Sequence, residues 1–177
     1  DSAGKKETLG LDDNKLIQFM DSDPHLKRAL LSAEKQYSTL IERHRDLLSM
    51  PEKDLCESLQ KDYLSFYGDQ ARCPYVPLAA SGPWIVTTHG AVIHDSGGYG
   101  MLGLGHDPKH LNGCLSSSQV MANIMTPSLS QRRFADRLKK EIGHTRGGCP
   151  FTRFLCMNSG SESVTVASRI CDLNSYK

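Results

Sequence analysis

No stretch of this 177-residue chain approaches the roughly 20 consecutive apolar residues that a membrane-spanning helix needs. Neither sign of charge is in excess, since 21 Lys+Arg face 20 Asp+Glu. That balance removes the basic footprint of a nucleic-acid binder and the acidic run of a disordered tail. The N-terminus, DSAGKKETLGLDDNK, lacks the apolar stretch of a signal peptide, and its acidic residues argue against a transit peptide. A cytoplasmic protein is expected, with the mitochondrial matrix left open because a cleaved leader leaves no trace. The six cysteines show no C-x-x-C spacing and no Cys/His cluster of zinc-site type. Their even count permits disulfides, but scattered, mostly apolar-flanked thiols fit a reducing compartment better. There is no internal repeat. The hydrophobic share of 38% supports a core of modest size, and the length suits one domain or one and a half.

Residues 1–12 read as a flexible lead-in, and helical periodicity runs from about Asn14 to Ser49. Asp23-Pro24 restarts that helix, with Asp23 as N-cap and Pro24 at the first helical position. Leu26, Leu30, Ala33, Tyr37, Leu40, Ile41, His44 and Leu48 then fall on one stripe at three- and four-residue steps. A second helix is expected from Ser49-Met50-Pro51-Glu52 to about Tyr63. Pro74, Pro77 and Pro83 make 72–83 an extended connector. Trp84-Ile85-Val86-Thr87 and Ala91-Val92-Ile93-His94-Asp95, joined by a turn through Gly90, read as a β-hairpin.

Residues 96–108, SGGYGMLGLGHDP, hold five glycines, which suits a backbone that turns sharply or is closely approached. Helices are expected over about 108–123 and 128–142, then a short strand over 151–157 (FTRFLCM). Asn158-Ser159-Gly160-Ser161-Glu162 turns that strand into a last helix with Val164, Ala167, Ile170 and Cys171 on its apolar face. A helix start offers unpartnered N–H groups and partial positive charge, the ingredients of a phosphate site. The same tetrad is also an ordinary capping sequence.

Taken together, G-Y-G-M-L-G-L-G-H-D-P at 98–108 and F-T-R-F-L-C-M-N-S-G-S-E-S at 151–163 resemble the class III family of pyridoxal-phosphate (PLP) aminotransferases. In that family a hairpin leads into a glycine-rich segment ending in Gly-His-x-Pro, and a strand some fifty residues later ends in Asn-Ser-Gly-(Ser/Thr/Ala)-Glu-Ala. The resemblance covers about 72–172, with the turn T-T-H-G and Ser163 as departures. It implies an α/β fold: an incomplete N-terminal part of PLP-dependent transferase fold type I. The expected organisation is a helical N-terminal arm (1–71), then connector, hairpin and Gly-rich segment (72–110), then the start of the PLP-binding large domain (111–177). It implies pyridoxal 5′-phosphate as cofactor, held by Gly160 and Ser161 mainly through backbone N–H groups, with Ser159 nearby. Tyr99 is where some members keep a substrate-contacting aromatic ring, and His106 reads as a structural turn residue. The implied partners are a small-molecule amino donor, a 2-oxo acid acceptor and a second copy of the complete chain, with no nucleic acid and no membrane.

The family's lysine that holds the cofactor aldehyde, and its acidic partner for the pyridine nitrogen, lie well beyond the Ser-Gly-Ser-Glu helix. No catalytic residue is therefore assigned here, and these 177 residues alone are expected to be inactive and poorly soluble. The alternative is a non-catalytic remnant of the fold, an assembly or scaffold subunit using helix 24–49 as its contact surface. An unrelated phosphate-binding module built on 157–163 ranks last, because it leaves the 98–108 motif unexplained.

Overall fold

The computed structural model describes residues 4–63, 68, 73–96, 103–109, 111, 113 and 126–176. They belong to two compact units, one within Asp1–Gln119 and one within Val120–Lys177.

In the first unit, helices α1 (Asp13–Met20), α2 (Pro24–Leu48) and α3 (Glu52–Gln60) precede strands β1 (Pro77–Ser81), β2 (Trp84–Thr87) and β3 (Val92–His94). The strands form an antiparallel sheet in the order β1-β2-β3. Asp23 caps α2 as the sequence predicts: its Oδ1 accepts from the amides of His25 and Leu26, and Pro24 opens the helix. The helix leaves regular geometry at His44 (φ −135°, ψ 38°). Its N-terminal half lies on β1 and β2, and Leu26, Ala29 and Ala33 pack with Ala79, Trp84, Val86 and Val92 into the core.

Two expectations change. Residues 72–83 are not only a connector, because Pro77–Ser81 pairs with β2. A proline at the first strand position costs the ladder nothing there. The helical arm (1–71) and the hairpin region after it also share one core, formed by α2 and the sheet. The lead-in is also fastened. Gly4 N–H donates to the Leu48 carbonyl, Glu52 N–H to that of Lys5, and Leu11 N–H to that of Val92 at 2.7 Å. Residues 4–11 thus form a strap from the start of α3 to the edge of β3, where backbone groups left unpaired by sheet and helix find partners.

The β1–β2 link is Gly82-Pro83, with Gly82 at φ 56°. A side chain there would collide with the His25 ring 2.6 Å away, so only glycine fits. The β2–β3 turn is Thr87-Thr88-His89-Gly90, closed by Ala91 N–H donating to Thr87 Oγ1 and by Gly90 at φ 77°. His89 Nε2 lies 2.9 Å from the Met50 carbonyl and must carry the proton, since a carbonyl only accepts. The Thr87–Gly90 turn therefore docks the hairpin onto the α2–α3 junction.

Trp84 Nε1–H donates to Asp23 Oδ2 at 2.7 Å. Burial pushes the Asp23 carboxyl up, but the bonds from Trp84, Leu26 and His25 and the charge of His25 outweigh it. The net pKa is below the ordinary carboxylate value. A carboxyl lowered by folding adds stability that is full above its unfolded pKa and is lost as pH falls through the folded one. Urea midpoints measured from neutral to strongly acid pH should therefore fall below the carboxylate range. Asp23→Asn, which keeps the cap, should flatten that fall. An Asn variant with the parent's acid profile contradicts the assignment.

The second unit holds α4 (Leu129–Gly143) and α5 (Gly160–Ser175). Ser128 and Gln131 form a capping box at the start of α4, and Gly147 (φ 72°) turns the chain after it. Residues 151–157 carry no strand, contrary to expectation, and Phe151 and Leu155 are exposed. A strand exists only with a neighbour to pair with, and among the described residues none lies beside this segment. The only sheet among the described residues is the antiparallel one above. No helix among them is long and apolar enough to cross a membrane.

Candidate functional site

The Gly-His motif lies in the first unit. Tyr99 and the glycines at 97, 98 and 100 fall outside the described residues. The remainder is a clasp. His106 N–H donates to the Gly82 carbonyl at 2.8 Å, and Gly82 N–H returns a bond to the His106 carbonyl at 2.9 Å. Gly105 has φ 72°, and a Cβ on it would sit 2.9 Å from Gly82 Cα. Two glycines are thus needed where two backbones meet. His106 Nε2 lies 3.1 Å from Asp95 Oδ2, which fixes the ring against the end of β3. The imidazole serves the turn, as its sequence position implies.

The Ser-Gly-Ser-Glu motif lies in the second unit, at the start of α5. Ser159 is the N-cap, with extended backbone (φ −143°, ψ 159°). Its Oγ accepts from Glu162 N–H at 3.2 Å. Glu162 Oε2 reaches back to accept from the amides of Asn158 at 3.0 Å and Ser159 at 3.1 Å. This reciprocal arrangement is a capping box. It satisfies the amides on either side and leaves those of Gly160 and Ser161 without a partner among the described residues.

These two amides are the donors that the resemblance implies for a cofactor phosphate, and the turn has room for such an anion. Residues 158–163 are exposed, and a Cβ on Gly160 would meet nothing within 4 Å. The Ser159 hydroxyl, whose oxygen accepts from Glu162, keeps its own hydrogen to donate. The helix dipole favours an anion here, while the Glu162 carboxylate, held by the Asn158 and Ser159 amides, opposes it. The donor set thus fits a phosphate. Among the described residues no group of three or more His, Cys, Asp or Glu side chains could hold a metal ion. No family model matches this chain, and no curated protein or solved structure matches it significantly.

Sequence reasoning missed the buried polar anchors of the first unit. Glu52 is fully buried, and its Oε2 accepts from the amides of Glu7 at 2.8 Å and Thr8 at 2.6 Å. His89 is 7% exposed. Both bond to groups some forty residues away along the chain. No local pattern signals such contacts.

Proposed function

We propose that this chain is the N-terminal portion of a class III, fold type I, PLP-dependent aminotransferase, which moves an amino group between an amine or amino acid and a 2-oxo acid. The observation that carries the reading is the pair of open amides at Gly160 and Ser161, held between the two halves of a capping box. The order and spacing of the Gly-His-Asp-Pro and Asn-Ser-Gly-Ser-Glu motifs support it. In this reading the Gly160 and Ser161 amides anchor the phosphate, with the Ser159 hydroxyl beside them. Glu162 keeps the turn rigid by holding the Asn158 and Ser159 amides. Bound PLP supplies the electron sink for amino-group chemistry. No residue here matches the family's lysine, so these residues position the cofactor and do not move protons on it.

The second unit leaves Leu129, Phe134, Val164, Ile170 and Leu173 exposed. In this reading those faces pack against the remainder of the large domain, and the complete protein pairs with a second copy. The scaffold alternative is less favoured, because the first turns of the α2 stripe it needs, Leu26, Leu30 and Ala33, are spent on the chain's own sheet.

Titration with pyridoxamine 5′-phosphate, followed by amide NMR, tests the cradle. The Gly160 and Ser161 resonances should move with the phosphorylated ligand and stay with unphosphorylated pyridoxamine. Ser161→Ala should keep the response, because the contact is through the backbone. Equal responses to both ligands, or none, overturn the reading.

A further inference from the structure

The first unit holds a cleft of about 810 Å³ that neither motif uses. One wall is the Lys53 and Cys56 face of α3, a second is Leu9 of the strap, and a third is Cys73 with Pro74. Two thiols thus face one space from separate parts of the fold. Both are free: Cys56 is half-buried and Cys73 is exposed. Cys73 Sγ–H donates to the Tyr75 carbonyl at 3.4 Å, which sets its position ahead of β1. Burial pushes the Cys56 thiol up, and the nearby charges of Glu52 and Cys73 add to that. The other free thiols among the described residues, Cys149, Cys156 and Cys171, belong to the second unit.

We propose that Cys56 and Cys73 are a redox pair that closes to a disulfide across this cleft, with a low-molecular-weight disulfide such as oxidised glutathione as the oxidant. Exposure makes Cys73 the first to react, since thiol–disulfide exchange needs access and a thiolate. The Cys73 thiolate attacks one sulfur of the glutathione disulfide and releases one glutathione thiolate. Cys56 then gives its proton to water and attacks the Cys73 sulfur of the mixed disulfide, releasing the second glutathione. The two cysteines lose two electrons, and the glutathione disulfide gains them. The bond ties α3 to the segment leading into β1 and fastens two walls of the cleft together. The proposal is independent of the cofactor reading.

The full chain, held in oxidised glutathione, alkylated and digested, tests this by peptide mass mapping. The Cys56–Cys73 cross-link should exceed every other cysteine pairing by about tenfold, in line with exchange being controlled by access and position, and dithiothreitol should remove it. Cys56→Ser should trap the Cys73–glutathione adduct. Cys73→Ser, at an exposed position, should keep the parent's circular dichroism and leave Cys56 unmodified. A parent map in which Cys56–Cys73 is no commoner than other pairings overturns the proposal whether or not Cys56→Ser folds. So does a Cys56→Ser chain that gathers no adduct on Cys73.

Discussion

Trp84→Ala should cost the first unit about 3–5 kcal/mol, the range for emptying a large aromatic site in a core. Trp84 is 8% exposed and belongs to the cluster that joins α2 to the sheet. Its ring meets that of His94 edge-on with centroids 4.9 Å apart, which adds a directional contact across β2 and β3. Its indole N–H also holds Asp23, so truncation weakens the cap that starts α2. Truncation therefore acts on core, sheet and helix start together. Globular domains are only about 5–15 kcal/mol stable, so the variant should show a much lower urea midpoint by far-ultraviolet circular dichroism, or no folded baseline. Trp84→Phe restores most of the volume without the N–H and should fall between the two. A Trp84→Ala chain with the parent's midpoint would mean that α2 and the sheet do not share a core.

Glu52→Ala should release the strap and lower stability by about 2–4 kcal/mol, reflecting two charge-assisted bonds lost from a buried acceptor. Glu52 opens α3, where Pro51 offers no capping side chain, so its charge also complements the helix dipole. Among the described residues its Oε1 has no hydrogen-bond partner, and Oε2 carries the anchoring bonds. Glu52→Gln keeps an acceptor oxygen without the charge and should lose roughly half as much. Hydrogen exchange is the direct measurement: the Glu7 and Thr8 amides should lose protection in Glu52→Ala while the β2 amides keep theirs. Unchanged exchange at Glu7 and Thr8 would show that the strap is held by something else.

Local signals in the sequence were legible, and long-range ones were not. Asp23-Pro24 marks the start of α2 because cap and fixed φ act within one turn. The hairpin is legible from β-branched runs flanking Gly90, and the Ser159-to-Glu162 box from its spacing. The strap was read as free because GKKETLGL has no periodicity, and its order comes from Glu52 and Val92. β1 was hidden by Pro77 and by Pro74 and Pro83 on either side of it, although Ser81, its last residue, is buried beside His25 and Arg28. At 151–157 an apolar run suggested a strand, but composition cannot supply a neighbour. Of the site, the capping geometry was legible in the motif. That Gly160 and Ser161 keep open amides emerged only from the partners Glu162 takes.

The strap has a consequence for how the chain acquires its shape. Leu11 bonds to Val92, so a segment made early has to wait for one made much later. During vectorial synthesis the first helices emerge before the hairpin that will cover them. The Leu11 end of the strap should therefore be the last part of it to settle, and a ribosome stalled before β3 should display that end still open to a protease while Glu52 already holds Glu7 and Thr8.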